Sequence, residues 1–273
     1  MTTALIDRNA IPLQKLDTQP IGIEVKNVSK QYDGKRVVND VSVNVRKGTI
    51  TSFIGPNGAG KSTLISMISR LSKKEEGTIL IEGRPLESYH SKELAKKVSI
   101  LKQANNINIR LTIRELVSFG RFPYSQNRLT KKDWTYVEEA IDYMALRDIQ
   151  DKYLDQLSGG QRQRAYIAMV LAQNTDYIIL DEPLNNLDMK HSVSIMKTLR
   201  RLVNELGKTI MIVVHDINFA SCYSDYIVAM KDGAIVEEGR CHEMINSDTL
   251  RNVYDMEIAV EEVNCNRICV YFN

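Results

Sequence analysis

The chain has 273 residues, 43% hydrophobic and 26% charged, with 36 Lys and Arg against 34 Asp and Glu for a net charge of +2. That is the composition of an ordinary folded globule, long enough for one large domain or a domain carrying a sub-domain. The near-neutral balance and the lack of a dense basic tract argue against nucleic acid as a partner, and no apolar run approaches the roughly 20 residues of a membrane span.

In chain order, residues 1–20 hold two prolines and mixed polarity, with no continuous apolar stretch and no small-residue cleavage site. They are expected to form a flexible arm rather than a signal peptide. Period-two or continuous apolar runs then predict strands at 21–25, 41–45, 49–54, 78–81 and 98–101, and again at 177–180, 209–214, 226–231 and 234–238. Several are near-continuous in Val, Ile and Leu, as in a sheet covered on both faces. Between 101 and 177 the pattern turns helical. Thr112 with Glu115 and Thr130 with Asp133 read as capping boxes, and Trp134, Val137, Ile141 and Met144 share a face of the second helix. Met196, Leu199, Val203 and Leu206 mark another helix, closed by Gly207. The expected fold class is therefore α/β, with a mainly helical sub-domain at about 104–172 inserted into the core. The chain is expected to be cytosolic, so Cys222, Cys241, Cys265 and Cys269 are expected as reduced thiols. Cys265 and Cys269 are four apart in a strand-like segment. No cysteine or histidine cluster completes a four-ligand site around them, which favours a structural part over metal binding.

Three stretches carry chemistry. GPNGAGKST, Gly55 to Thr63, fits the phosphate-loop pattern and sits after an apolar strand and before a helical run. Its Gly55, Asn57, Gly58 and Gly60 let backbone amides turn inward on the phosphates of ATP. Lys61 would sit on the β- and γ-phosphates, and Ser62 would offer its hydroxyl to Mg²⁺. The strand 177–180 ends in Asp181-Glu182. Asp181 is placed to hold Mg²⁺, and Glu182 to orient or deprotonate an attacking water. His215 ends the strand before it; from position alone it is equally a structural histidine or a donor to a transferring phosphoryl group.

The third stretch is LSGGQ, where Ser158, Gly159, Gly160 and Gln161 open a helix and form a second anion site. One ATP is already held by the first loop, so the second turn is redundant unless it serves the nucleotide of another subunit in a two-fold dimer.

With GPNGAGKST, LSGGQ, IILDEP and His215 in this order, residues 21 to 240 resemble the ATP-binding cassette (ABC) family. The resemblance implies a phosphate-loop NTPase cassette over 21–250, with a mainly parallel core sheet, an N-terminal antiparallel β part and the helical insert, and with 251–273 as a short C-terminal extension. It implies that Tyr32 stacks on adenine, that Gln103 touches Mg²⁺ and the attacking water, that His215 is catalytic, and that Leu187-Asp188 belongs to the loop where two copies meet. At Leu184, after Pro183, the family more often has threonine, which leaves the contact around Asn185–Asp188 open to difference in detail. LTIRELVSFGRFPYS, Leu111 to Ser125, is similar to importers of ferric siderophores, haem and cobalamin, and DEPLNNLD most resembles the siderophore members. The resemblance thus implies an ATPase at the cytoplasmic face of the cell membrane. Its partners would be a second copy, integral-membrane permease subunits and, indirectly, an extracytoplasmic siderophore-binding protein. Haem or cobalamin import, a non-transport cassette ATPase and a non-hydrolysing regulatory module are the alternatives.

Overall fold

The computed structural model describes residues 18–103, 109–126 and 128–271. Most of the expected N-terminal arm and residues 104–108 of the expected helical insert lie outside them.

Two sheets form the body. In the first, β1 (Ile21–Tyr32) and β2 (Lys35–Arg46) pair antiparallel, and β4 (Glu76–Ile81) and β5 (Arg84–Pro85) extend it in the order β2-β1-β4-β5. Both long strands run further than the five residues the alternation predicts. Asp33 and Gly34 adopt φ of 48° and 78° and close a two-residue hairpin, so pairing continues to the turn. Register shifts between Val25 and Lys30, with Asn27 at φ 50°, break the alternation there.

The second sheet has the order β10-β9-β3-β8-β7-β6. It contains β3 (Ile50–Ile54), β6 (Val98–Leu101), β7 (Tyr177–Asp181), β8 (Thr209–Val213), β9 (Tyr226–Lys231) and β10 (Ala234–Arg240). All neighbours are parallel except β10, which turns back on β9. Period two divides its side chains between two cores. Ile50, Ile178, Leu180, Ile210, Ile212 and Ile227 enter one core; Phe53, Tyr177, Ile179, Met211, Val213 and Val228 enter the other. The second core is closed by α1 (Lys61–Ile68) and by the valines of the antiparallel sheet.

The first core is closed by α2 (Ile113–Ser118), α3 (Lys131–Tyr143), α4 (Gly159–Ala172), α5 (Met189–Leu206), α6 (Ile217–Tyr223) and α7 (Ser247–Tyr254). Both expected capping boxes are formed, Thr112 with Glu115 at α2 and Thr130 with Asp133 at α3. Gly207 ends α5 in the left-handed conformation. Met196, Leu199 and Val203 are buried on α5, whereas Leu206 is exposed, since the helix has by then run past the edge of the core. An isolated bridge, Thr112 to Tyr153, is the β pairing described between 109 and 172. The chain ends in the hairpin β11 (Ala259–Val263) and β12 (Asn266–Val270). Cys265 stands in its turn at φ 59° and is exposed, while Cys269 is buried, so the two lie in different settings of one hairpin.

Candidate nucleotide site

In a parallel sheet, ligands gather beyond the carboxyl ends of the strands. Four adjacent strands here end in chemically suited residues. β3 leads into Gly55–Lys61, β8 ends two residues before His215, β7 ends in Asp181 followed by Glu182, and β6 ends two residues before Gln103. The register of the sheet, not proximity in sequence, sets these ends side by side.

The glycine loop is held tightly at its start. A Cβ on Gly55 would lie 1.9 Å from the Met230 carbonyl oxygen of β9, and its φ of 134° suits glycine alone. The Gly55 amide donates to the Tyr254 hydroxyl at 3.1 Å. Asn57 and Gly58 form the exposed crest, and Gly60 caps α1 in the left-handed conformation. The Lys61 ammonium is buried and donates to the carbonyls of Gly55 and Pro56, both at 2.8 Å. Burial pushes its pKa down, and the carboxylates of Glu182 and Asp181 push back.

Ser62 donates its hydroxyl to Asp181 Oδ1 at 2.8 Å, tying the first turn of α1 to the end of β7. Burial raises the Asp181 pKa against the opposing hydrogen bond from Ser62, and the neighbouring charge of Glu182 raises it further. Glu182 sits at φ 52°, a left-handed conformation rare for a side chain of this size and costing on the order of 1 kcal/mol. Three groups meet its carboxylate. Gln103 Nε2 donates to Oε2 at 2.6 Å, Asn185 Nδ2 donates to the same oxygen, and His215 Nε2 lies 2.7 Å from Oε1. Gln103, Glu182 and His215 are thus brought into one contact, and Ser62 and Asp181 into another alongside it, with the Lys61 charge near enough to feel both carboxylates.

A cleft of about 330 Å³ opens next to this group, lined by Tyr32, Ser62, Thr63, Leu71 and Ser72 among others. The Tyr32 ring is exposed, with its hydroxyl 3.2 Å from Ser72 Oγ and the Lys30 ammonium 5.0 Å from its centroid. The cleft and the loop are continuous through Ser62 and Thr63.

The donor set suits a small hard cation. Among the described residues no cluster of three or more His, Cys, Asp or Glu forms a self-sufficient metal cage. The hydroxyl of Ser62 and the carboxylate of Asp181 are instead oxygen donors at the phosphate loop, the arrangement by which Mg²⁺ binds through one or two protein groups plus phosphate oxygens.

The second glycine turn stands apart. Ser158 accepts from the Gln161 amide at 3.3 Å, and Gln161 returns the bond to the Ser158 amide at 3.0 Å; Ser158 and Gly159 are exposed. Among the described residues, the side-chain hydrogen bonds of Ser158 and Gln161 run to each other and none to the first loop. Gly160 is buried because His191 covers it: a Cβ there would meet the imidazole at 2.6 Å. His191 also bonds through Nδ1 to Asp188 Oδ1 at 2.8 Å, and Asp188 caps α5. The turn at 158–160 and the loop at Asp188 therefore form one exposed unit. Leu184 and Leu187 pack on the core instead of entering this unit.

Sequence reasoning does not single out Tyr254, His191 or Ser72, and it places Asn185 in the contact loop without its bond to Glu182. Asn185 lies within DEPLNNLD, where nothing local points it at Glu182, and Ser72 lies in a stretch with no pattern of its own. Tyr254 and His191 act on glycines that only the fold brings near.

A sequence profile described as ABC transporter matches residues 38–185. The chain is 68% identical over 251 residues to a petrobactin import ATP-binding protein, YclP, of Bacillus subtilis (strain 168), covering 92% of this chain and all of that one. It is 49% identical over 249 residues to another, FatE, of Bacillus anthracis, covering 91% of this chain and all of that one. Among solved structures, a dimeric structure of the bacterial ABC transporter cassette MJ0796 superposes with a TM-score of 0.72 at 33% identity, covering 80% of this chain and 98% of that one.

Proposed function

The chain belongs to the ABC transporter family, and from that premise we propose that it is the ATP-hydrolysing subunit of a membrane importer that powers uptake of a ferric siderophore. ATP binding and hydrolysis come with the family. The iron cargo is supported by relatives named for petrobactin import, one of them 68% identical over its whole length. Among the described residues no helix is long and apolar enough to cross a membrane. We place the protein peripherally at the cytoplasmic face, against integral-membrane permease subunits that an extracytoplasmic siderophore-binding protein supplies.

Within the site, Tyr32 stacks on the adenine, Gly55 turns the chain into the loop, and the amides of Asn57, Gly58, Gly60, Ser62 and Thr63 wrap the phosphates. Lys61 places its charge on the β- and γ-phosphates. Ser62 and Asp181, with Gln103, would hold Mg²⁺, which when bound neutralises charge on the phosphate oxygens. Glu182 takes the proton of the attacking water, and His215 donates to the γ-phosphate as negative charge develops there. Gln103 and Asn185 orient the Glu182 carboxylate. The observation that carries this reading is the convergence of four neighbouring strand ends, with Glu182 contacted at once from β6, from β8 and from its own loop.

Ser158, Gly159, Gly160 and Gln161, with Asp188, serve the nucleotide of a second copy. The exposure of Ser158, Gly159 and Asp188 and the turn's separation from the first loop's hydrogen bonds support a site completed across a two-fold axis. ATP then closes the pair through cross-subunit contacts that ADP lacks, and hydrolysis reopens it. The permease follows that cycle.

The test is uptake of radioactive iron on a panel of siderophores, petrobactin included, in cells whose own copy is replaced by Lys61→Ala. One siderophore class should fail and return with wild type. Normal entry of every siderophore, with lost uptake of haem or cobalamin, transfers the reading to those cargoes; no transport defect at all sinks the importer.

A further inference from the structure

The mechanism leaves residues 247–271 without a part, although they touch the site twice. At one contact, α7 buries Leu250 and Val253 in the core and brings the Tyr254 hydroxyl to 3.1 Å from the Gly55 amide. Lys231, at the end of β9, fastens the same turn through the Asn252 carbonyl at 3.0 Å and the Asp255 carboxylate at 2.6 Å. At the other contact, β12 lies on α6, the helix that starts just after His215. Asn218 grips the backbone of β12 with both ends of its amide: Nδ2 donates to the Cys269 carbonyl at 3.2 Å, and Oδ1 accepts from the Cys269 amide at 2.7 Å. Ser221 adds a bond to the Arg267 carbonyl at 2.5 Å. Ile258, between the two contacts in sequence, is buried in the same core as Leu250, Val253 and Cys269.

Strand β9 runs beside β3 as far as Ile54 and packs on Gly55, but among the described residues nothing in the sheet ties Gly55 to His215. The β3–β8 ladder ends where the Val214 amide reaches the Phe53 carbonyl at 3.3 Å. Beyond it, Gly55 and His215 leave neighbouring strands with no ladder between them. A left-handed glycine and a loop-borne imidazole then need other partners to hold a sub-ångström geometry.

We propose that residues 247–271 form a brace that positions both flanks of the γ-phosphate site, with Tyr254 setting the start of the phosphate loop and Asn218 setting the helix behind His215. The proposal rests on the nucleotide reading above. Tyr254 and Asn218 are positioning residues: neither touches the nucleotide, and each acts through its neighbour.

The two ends should fail differently. Loop amides hold ATP in the ground state and transition state alike, so a loosened Gly55 raises KM. A donor matched to developing charge acts in the transition state, so a displaced His215 lowers kcat. Tyr254→Phe keeps the ring and removes the acceptor; KM for ATP should rise about tenfold with kcat within about twofold. Asn218→Asp keeps the volume and the acceptor for the Cys269 amide but sets a carboxylate against the Cys269 carbonyl; kcat should fall about tenfold with KM within about twofold. Asn218→Ala, where it folds by circular dichroism, should follow Asn218→Asp. Wild type and Lys61→Ala are run alongside. If wild type fails to hydrolyse ATP, the site reading falls and the brace with it. If wild type hydrolyses and Lys61→Ala does not, while Tyr254→Phe and Asn218→Asp keep wild-type KM and kcat and only melt earlier, the brace alone is overturned.

Discussion

Replacing Glu182 by glutamine isolates a proton acceptor from the scaffold around it. Glu182 Oε2 accepts from Gln103 and Asn185, and Oε1 faces His215 Nε2 at 2.7 Å. A glutamine that turns its carbonyl oxygen toward Gln103 and Asn185 keeps both donors satisfied. Its NH₂ group then faces His215, which meets it as an acceptor by carrying its own proton on Nδ1. No buried polar group is orphaned, so the stability cost should stay within about 1 kcal/mol, a melting shift of roughly 2–4 °C for a chain of this size. The backbone keeps its φ of 52°, which glutamine adopts at the same cost as glutamate. On the proposed mechanism what is lost is a general base, worth typically 10²–10⁴ in rate, or about 3–5 kcal/mol of transition-state stabilisation. Phosphate release at saturating ATP should therefore fall about 10²–10⁴-fold, with equilibrium ATP binding changed less than about threefold. A glutamine variant that turns over within about threefold of wild type would refute Glu182 as the base, and one that loses ATP binding would show that its carboxylate serves the ground state.

The glycine at 160 gives a second prediction. Gly160→Ala drives a methyl into the His191 ring, 2.6 Å away, and should break the His191–Asp188 pair. At roughly 1–3 kcal/mol of overpacking, ATP-driven dimerisation in a Glu182→Gln background should weaken about 10- to 100-fold by size exclusion. His191→Ala added to Gly160→Ala should recover most of the loss, and no recovery would disprove the steric account. A third prediction concerns the helical insert, where buried Arg121 pairs with Asp133 at 3.0 Å and lies against the rings of Tyr124 and Tyr136. Burial works against ionising Asp133, but the side chain and amide of Thr130 and the Arg121 guanidinium hold its pKa down at about 2. The folded pKa lies below the unfolded value of about 3.9, so this stabilisation is whole above that pH and is lost as pH falls through about 2. The difference in urea midpoint between wild type and Asp133→Asn should shrink from about pH 4.5 to about pH 2.5; a constant difference contradicts the assignment.

Much of this protein is local, and the local part is legible. A glycine loop between an apolar strand and a helix, two acids at a strand end and two capping boxes each depend on residues within a few positions of one another. Strand ends were harder to read: β1 and β2 continue through bulges to the Asp33-Gly34 turn, where alternation no longer tracks pairing. In the C-terminal hairpin, the left-handed turn at Asn264-Cys265 separates the two cysteines that even spacing had put on one strand.

Residue type and short-range spacing settle which groups are available for phosphate chemistry, because they fix donor identity and loop conformation. The tertiary structure alone decided which of them meet. The order β3-β8-β7-β6 reverses and interleaves the chain, so Gln103, Glu182 and His215 converge from three strands. Tyr254 reaches Gly55 across 199 positions because α7 packs back on the core beside the sheet. Such contacts leave no periodic trace, since a hydrogen bond between distant segments constrains single residues and not a pattern.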